Sequence, residues 1–153
     1  MLFQEINESF SLVFSELFGG GKGELTLSDP SNVLESGIEI IAQLPGKGSQ
    51  NINLYSGGEK SFIAIALLFA ILRVKPAPFC ILDEIEAALD DANVSRYAQY
   101  LKKFAEETQF IVITHRKGTM EHADVLYGVT MQEKGISKLI SVDFSEAEKS
   151  ITA

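Results

Sequence analysis

Two short apolar runs, residues 79–82 (FCIL) and 110–113 (FIVI), most constrain how this chain of 153 residues folds. Runs of this length and composition are typical of strands buried on both faces. Residues 92–107 lie between them and carry apolar side chains at helical spacing, and residues 57–73 form an earlier, almost wholly apolar helix. Strands that alternate with helices pair in parallel. We therefore predict an α/β domain with a central, largely parallel sheet flanked by helices.

The remaining strands follow alternating patterns. "KGELTLSD" and "SGIEIIAQL" alternate apolar and polar residues around a "DPSN" turn, which predicts an antiparallel pair, and residues 45–54 are predicted to form a loop. "ADVLYGVTMQ" and "GISKLISVDF" predict two closing strands before a weakly patterned tail. A hydrophobic fraction of 46% over this length fits one domain with a core.

The first helix carries an apolar stripe that has two explanations. Its apolar residues recur at alternating steps of three and four, which is typical of the seam of a coiled coil: Phe3, Ile6, Phe10, Val13 and Leu17. A plain amphipathic helix packed on the core of its own domain explains the stripe equally well, because it spans fewer than three heptads. Residues 19–21, all glycine, are predicted to end the helix.

Charge and cysteine content exclude several classes of protein. The formal net charge is −8, with 13 Lys and Arg against 21 Asp and Glu, which argues against a broad face that binds a nucleic-acid backbone. The one cysteine, Cys80, cannot form an internal disulfide. The longest apolar run is shorter than the roughly 20 residues of a membrane span, and no signal peptide opens the sequence. We expect a soluble, intracellular protein without membrane contact.

The start of the apolar helix is unusual. Ser56 and Glu59 have the spacing of a capping box, in which each side chain satisfies a backbone N–H of the first turn. Gly57 and Gly58 lie between them, although a glycine within a helix costs about 1 kcal/mol relative to alanine. Glycine is tolerated where another group must approach the backbone closely, and the N-terminus of a helix suits a phosphate. This turn is therefore a candidate phosphate contact.

Polar residues follow both apolar strands. Asp83 and Glu84 come directly after "FCIL", and His115 closes "FIVITH". The carboxyl ends of such strands are where open α/β sheets bind ligands, and an acidic pair there suits Mg²⁺ and an attacking water. Short motifs give many chance matches, so two acids alone favour a turn cap at Asp83 and a solvated Glu84. A lone histidine is likewise usually structural.

Several kinds of site are missing from the sequence. It has no Cys/His cluster for zinc and no Gly-x-Ser-x-Gly elbow for a serine hydrolase. It also lacks the phosphate-binding loop G-x-x-x-x-G-K-[ST], because Lys22 and Lys47 are each followed by glycine. The chain is therefore expected not to hold ATP by itself, even though its acids and histidine suit nucleotide chemistry.

Three stretches together resemble a known family. In order, "YSGGEK", "FCILDEIEAALDDAN" and "IVITHRKGTME" resemble the signature motif, the Walker B strand with D-loop, and the switch histidine of ABC-type ATPases. More narrowly, nearly the whole chain is similar to the C-terminal head segment of bacterial members of the structural maintenance of chromosomes (SMC) family. The resemblance implies that residues 1–18 end a returning coiled coil, that residues 19–153 form the C-terminal half of a head, and that Met1 is an added initiator.

The resemblance also implies roles for the candidate residues. Asp83 would bind Mg²⁺, Glu84 would activate the water, and His115 would contact the γ-phosphate of ATP in its own head. Residues 56–59 and Asp90 of the D-loop would act at the nucleotide of an opposing head. Tyr55 departs from the family, in which leucine is usual. The chain alone would be inactive, because the Walker A loop of the same head comes from the N-terminal half.

The implied partners are the N-terminal Walker A half, a second identical head joined in an ATP-dependent way, the C-terminal winged-helix domain of a kleisin subunit, and DNA through the full complex. The implied function is ATP-driven chromosome condensation and segregation in the cytoplasm, at the nucleoid. Two alternatives remain open. The segment acts mainly as a kleisin-binding module, or it is a head segment of a related coiled-coil DNA repair ATPase or of a transporter ATPase, although "LFGGG" and "THRKGTME" favour the chromosome family over the last two.

Overall fold

The computed structural model of the protein describes residues 2–143. Its helices are α1 (Leu2–Phe18), α2 (Gly57–Val74), α3 (Asp91–Phe104) and the short α4 (Lys117–Met120). Its strands are β1 (Lys22–Leu27), β2 (Ile38–Gln43), β3 (Gln50–Asn51), β4 (Phe79–Asp83), β5 (Gln109–Ile113), β6 (Val125–Glu133) and β7 (Ile136–Asp143). The mixed α/β class is therefore confirmed.

The core is centred on α1 and α2. The apolar stripe of α1 faces inward, and Phe10, Val13 and Leu17 are at most 2% exposed within the same core as α2. The Phe18 ring also lies on Phe62 of α2, with ring centroids 4.7 Å apart. Packing on the chain's own core therefore accounts for these three stripe residues. A continuation of α1 into a coiled coil remains a prediction.

Three glycines end α1, as the sequence predicts. Gly19, Gly20 and Gly21 have φ angles of +69°, +131° and +81°, which L-residues with a side chain rarely adopt. The amide of Gly20 donates to the carbonyl of Ser15 at 2.9 Å, so the last turn of the helix is capped by the chain that leaves it. This turn leads the chain directly into β1.

The sheet topology differs from the prediction. The described strands form one three-stranded sheet in the order β1-β2-β3 and two separate pairs, β4-β5 and β6-β7. Within residues 2–143 only β4 and β5 pair in parallel, and the other pairs are antiparallel. The expectation of a central, largely parallel sheet is therefore wrong for the part of the chain that the structure describes. It generalised from one correctly predicted parallel pair.

The β4-β5 pair is buried on one face, whereas the sequence predicted burial on both. Leu82 is 3% exposed, but Phe79, Ile81, Ile111 and Ile113 of alternate positions are between 47% and 58% exposed. Alternate residues of a strand point to opposite faces, so these four form one open apolar face. The apolar runs thus predict that both faces of the β4-β5 pair are buried, whereas residues 2–143 bury only one of them.

The pairings of strands that are close in sequence agree better with the predictions than the overall sheet topology does. β1 and β2 pair from Lys22↔Gln43 to Leu27↔Ile38, and β6 and β7 form the closing hairpin. The predicted loop 45–54 contains β3 and a 3-10 turn, and α4 was not predicted. The tail predicted as weakly patterned, like Phe144 at the end of the last predicted strand, lies outside the described residues. No helix in the described part of the chain is long and apolar enough to cross a membrane.

Candidate nucleotide site

The parallel pair places its two polar ends side by side. Asp83 of β4 is in register with Ile113 of β5, so the residues that follow leave the sheet at the same edge. The amide of Glu84 donates to the carbonyl of Ile113 at 2.9 Å, and Oε1 of Glu84 is 3.3 Å from Nδ1 of His115. Both side chains are more than half exposed. The structure therefore brings the acid and the histidine together at the edge where the sequence placed them.

Glu84 has an unusual backbone. Its φ of 49° is the one positive value at a non-glycine residue in the described part of the chain. A left-handed conformation costs a residue with a Cβ about 1 to 2 kcal/mol. Strained backbone of this kind is concentrated at functional sites. The strain falls on the residue to which the family resemblance assigns activation of the attacking water.

Asp83 is exposed at the end of β4, and within residues 2–143 its carboxylate makes no hydrogen bond to the following turn. The turn-cap alternative for Asp83 is therefore not what the structure shows. The described residues contain no group of three or more His, Cys, Asp or Glu side chains that could hold a metal ion. Mg²⁺ is typically held by one or two carboxylates together with phosphates and waters, so a single exposed carboxylate fits this ion.

The capping box at the start of α2 is confirmed. The amide of Ser56 donates to Oε2 of Glu59 at 3.1 Å, and the amide of Glu59 donates to Oγ of Ser56 at 3.4 Å. Lys47 donates to Oε1 of Glu59 at 2.6 Å. This bond, followed by the bond from the Ser56 backbone, lowers the pKa of Glu59 below its ordinary value. Both residues therefore have a structural role in this chain.

The two glycines of the turn differ. Gly57 is exposed, and a Cβ built on it meets nothing within 4 Å. A Cβ on Gly58 would lie 2.8 Å from the carbonyl oxygen of Ala88, in the segment that follows β4. Packing inside the chain therefore explains Gly58. It gives no reason for Gly57, where the open space remains available to a group from outside.

Tyr55, just before the capping box, is packed in the core. It is 5% exposed, and its hydroxyl donates to the carbonyl of Ala42 at 2.8 Å. Nζ of Lys47 lies 5.9 Å from the centre of its ring. The ring is thus held in the core by burial and by its bond to β2.

Asp90 caps α3. Its Oδ1 accepts from the amide of Asn93 at 2.8 Å, and its side chain is exposed. The close approach of Gly58 to Ala88 places the turn at residues 56–59 beside the segment that ends at Asp90. The structure therefore presents two groups of candidate residues. One is formed by Asp83, Glu84 and His115, and the other by residues 56–59 with Asp90.

Two residues near these groups were missed by the sequence reading. Glu86 is 1% exposed, and its Oε1 accepts hydrogen bonds from the hydroxyls of Thr114 and Thr119. Arg116 donates from Nη2 to the carbonyl of Leu89 at 2.9 Å. Both residues connect the segment after β4 to the segment after β5. The sequence signal was weak, because Glu86 lies among other acids that suggest a solvated loop.

Comparisons with known proteins place these features in a family. Residues 8–138 match the family described as the RecF/RecN/SMC N terminal domain. The chromosome partition protein Smc of Bacillus subtilis (strain 168) is 66% identical over 147 residues, which cover 96% of this chain and 12% of that protein. The chain thus spans about one-eighth of the length of such relatives.

Solved structures of SMC heads are also similar to this chain. An SMC ATPase structure, from work on ATP-driven dimerization and DNA-stimulated activation, has a TM-score of 0.85 at 43% identity and covers 98% of this chain and 91% of that chain. An Smc head bound to the C-terminal winged-helix domain of ScpA has a TM-score of 0.88 at 45% identity and covers 96% of this chain and 45% of that chain.

The family match corrects the expected placement in the head. The sequence predicted a C-terminal head segment that completes an ATP site with an N-terminal Walker A half. The matching family is described as an N terminal domain, and by that description residues 8–138 belong to the N-terminal head region. The prediction of a C-terminal head segment is therefore wrong. The absence of a G-x-x-x-x-G-K-[ST] loop from the printed sequence is unaffected by this correction.

Proposed function

The chain belongs to the RecF/RecN/SMC family, and from this premise we propose that it supplies hydrolytic residues to an ATP site in the head of a chromosome partition ATPase. One observation carries the proposal. Glu84 and His115 leave the ends of two paired parallel strands and are 3.3 Å apart, beside Asp83. An acid and a histidine at the carboxyl edge of a parallel pair suit the hydrolysis of a bound nucleotide.

Each residue has a distinct proposed role. Asp83 holds Mg²⁺, which when bound neutralises charge on the phosphates of ATP. Glu84 accepts a proton from the attacking water through its carboxylate. The contact of Nδ1 of His115 with the carboxylate of Glu84 orients both side chains. A phosphate oxygen of ATP accepts from Nε2 in the form of the ring that carries a proton on both nitrogens. The fixed backbone of Glu84 keeps its carboxylate at the end of the strand.

A separate segment is proposed to supply the phosphate-binding loop. The printed sequence contains no G-x-x-x-x-G-K-[ST] loop, so the chain alone is proposed to be inactive. The open apolar face of Phe79, Ile81, Ile111 and Ile113 supports a partner segment that covers β4 and β5. Burying such a face is favourable in proportion to the apolar area removed from water.

The test is reconstitution. The chain is mixed with a head segment of an Smc relative that carries the phosphate-binding loop, and Mg²⁺-dependent release of phosphate from ATP is measured. Glu84→Gln keeps the size of the side chain but removes the base, so hydrolysis is expected to fall by about 100-fold or more. Asp83→Asn is expected to raise the Mg²⁺ concentration needed for activity.

Glu106→Gln is the matched control, because Glu106 is an exposed acid in the turn between α3 and β5. It is expected to leave the rate unchanged. A Glu84→Gln mixture as active as the unaltered one would refute the assignment of the base. A mixture without any Mg²⁺-dependent hydrolysis would refute the proposed function.

We further propose that Ser56, Gly57, Gly58 and Glu59, together with Asp90, face the γ-phosphate of ATP held by a second head. The open space at Gly57 and the neighbouring position of the Asp90 segment support this interface. Ser56→Arg is expected to abolish ATP-dependent association of reconstituted heads while leaving nucleotide binding intact. Unchanged association, measured by analytical ultracentrifugation with and without ATP, would contradict it.

A protein partner is also proposed. The related Smc head bound to the winged-helix domain of ScpA supports binding of a kleisin by this chain. Binding of a ScpA C-terminal domain to the chain in the absence of ATP, measured by calorimetry, would separate docking from hydrolysis. No binding at micromolar concentrations would refute the docking proposal. Contact with DNA at the nucleoid is proposed only for the complete assembly, because the chain carries a net charge of −8.

A further inference from the structure

Glu86 is a buried acid that the proposed hydrolysis does not use. It lies two residues after Glu84 in the turns that follow β4, where the amide of Leu89 donates to its carbonyl at 3.0 Å. Its side chain is 1% exposed. Acidic side chains are almost never fully buried unless hydrogen bonds or charges compensate for the lost water. The contacts of Glu86 should therefore show why it is retained.

The two hydrogen bonds of its side chain both lead to the segment that carries the histidine. Oε1 of Glu86 accepts from Oγ1 of Thr114, directly before His115, and from Oγ1 of Thr119 in α4 at 3.0 Å. Oγ1 of Thr114 in turn accepts from the amide of Arg116 at 3.0 Å. Residues on both sides of His115 are thus tied, through one oxygen atom, to the strand end that carries Glu84.

The arrangement costs stability. Oε2 of Glu86 and the hydroxyl of Tyr97 have no hydrogen-bond partner among the described residues. Burial, together with the negative charge of Glu86 and the neighbouring Cys80, raises the pKa of Tyr97. An apolar side chain of the same size would avoid the unpaired oxygen, since buried charges are often replaced by apolar groups without loss of stability. An apolar side chain would not, however, hold the two threonine hydroxyls.

We propose that Glu86 is a positioning residue that holds the segment 114–119, and with it His115, against Glu84. The inference rests on the proposed function for its catalytic consequence, but its structural half stands on the hydrogen bonds alone. The single oxygen that accepts two hydroxyls fixes the segment on both sides of His115. Loss of that acceptor frees the ring to leave the position 3.3 Å from Glu84.

The test compares two substitutions of similar size. Glu86→Leu removes the acceptor, whereas Glu86→Gln keeps a carbonyl oxygen that accepts from both threonines and removes the charge. Amide hydrogen exchange of residues 114–119 is measured by NMR on the isotope-labelled chain mixed with the head segment that is proposed to cover β4 and β5. Glu86→Leu is expected to increase exchange in this segment at least about 10-fold relative to β4, and Glu86→Gln to restore the unaltered pattern.

The second readout is steady-state hydrolysis in the reconstituted mixture. Glu86→Leu is expected to lower kcat about 10- to 100-fold with KM unchanged, because a displaced catalytic group affects the chemical step. Glu86→Gln is expected to recover most of the rate. Glu106→Leu, at an exposed acid remote from the site, is the control.

Each outcome decides the proposal. Unchanged exchange of residues 114–119 in Glu86→Leu would overturn it, and so would equal effects of Leu and Gln. If Glu86→Leu does not fold, Thr119→Val removes one donor with little change of shape and is expected to increase exchange in the same segment. An inactive unaltered mixture would refute the proposed function, while the exchange measurement would still decide whether Glu86 positions the loop.

Discussion

The backbone of Gly58 lies against the carbonyl oxygen of Ala88, so closely that a Cβ at position 58 would be 2.8 Å from that oxygen. Gly57, one position earlier, has nothing within 4 Å of its Cβ position. Two adjacent glycines in one turn therefore have different physical requirements. One is required by the packing of the chain, and the other leaves a space that the chain does not fill.

Gly58→Ala is expected to destabilise the chain by about 1 to 3 kcal/mol, because helix α2 must shift away from the segment at Ala88. Gly57→Ala is expected to change the free energy of unfolding by less than about 0.5 kcal/mol, or to raise it, since alanine favours the helix. Urea unfolding monitored by circular dichroism measures both. Equal losses for the two variants would contradict the different roles.

Gly57→Ala also distinguishes an effect on the association of heads from an effect on folding. Gly57→Ala is expected to weaken ATP-dependent association of reconstituted heads by about 10-fold, because a methyl group would occupy space proposed for a phosphate. The fold is left intact by this change, so the effect reports the interface. Association as tight as in the unaltered protein would argue that the space at Gly57 is not used.

A second matched pair tests the turn after α1. Gly19 and Gly21 both have positive φ angles, but a Cβ on Gly19 meets nothing within 4 Å, whereas one on Gly21 would be 2.2 Å from the carbonyl oxygen of Gln43. Gly19→Ala is expected to cost about 1 to 2 kcal/mol from backbone strain alone. Gly21→Ala is expected to cost clearly more, since it adds a clash with β2. Thermal unfolding would contradict this if the two melting temperatures fell equally.

The strain at Glu84 is measurable. Glu84→Ala and Glu84→Gly both remove the carboxylate and its contact with His115. The difference in their free energies of unfolding therefore reports the backbone conformation of residue 84. Because φ is 49°, the glycine variant is expected to be more stable than the alanine variant by about 1 kcal/mol. Both are expected to be inactive after reconstitution. A more stable alanine variant in chemical unfolding would show that the left-handed backbone is not strained.

Tyr97 should be replaceable by phenylalanine. Its side chain is fully buried, and its hydroxyl has no hydrogen-bond partner among the described residues. Tyr97→Phe removes this unpaired group and is expected to leave stability unchanged or to raise it by about 1 kcal/mol. A loss of more than about 1 kcal/mol in urea unfolding would indicate that the hydroxyl has a partner.

Tyr97 also predicts a response to alkaline pH. Its pKa is raised from the ordinary value of 10.0, chiefly by burial, so the folded state keeps the proton at a pH where the unfolded chain has released it. The unfolded state then binds fewer protons, and stability falls as the pH rises above about 10. In Tyr97→Phe this fall is expected to be shallower. Tyr100, whose pKa is raised by burial and by its bond to Glu16, continues to contribute.

Local chemistry determined which features the sequence predicts correctly. The capping box at Ser56 and Glu59 depends on residues three apart, and it was predicted because capping is a local interaction. The strand ends at Asp83 and Ile113 follow from apolar runs, and a connecting helix predicts their parallel pairing. These features predict that Glu84 and His115 follow the carboxyl ends of two buried strands, where the structure has them.

Long-range packing determined which features were missed. Glu86 has the sequence surroundings of a solvated acid, and its burial depends on Thr114 and Thr119, about thirty residues away. Gly58 resembles a ligand contact by sequence, and only the approach of Ala88 supplies a structural reason. The apolar runs of β4 and β5 predict burial on both faces, but residues 2–143 cover one. The position of a segment within a longer head is likewise not encoded in local patterns.

The exposed apolar side chains on the open face of β4 and β5 are expected to lower the solubility of the chain. The side chains of Phe79, Ile81, Ile111 and Ile113 form an exposed apolar surface. It lies next to a strand edge that is unpaired within residues 2–143, which favours aggregation when the segment is alone. The chain is therefore expected to behave best when produced together with the segment that covers this face.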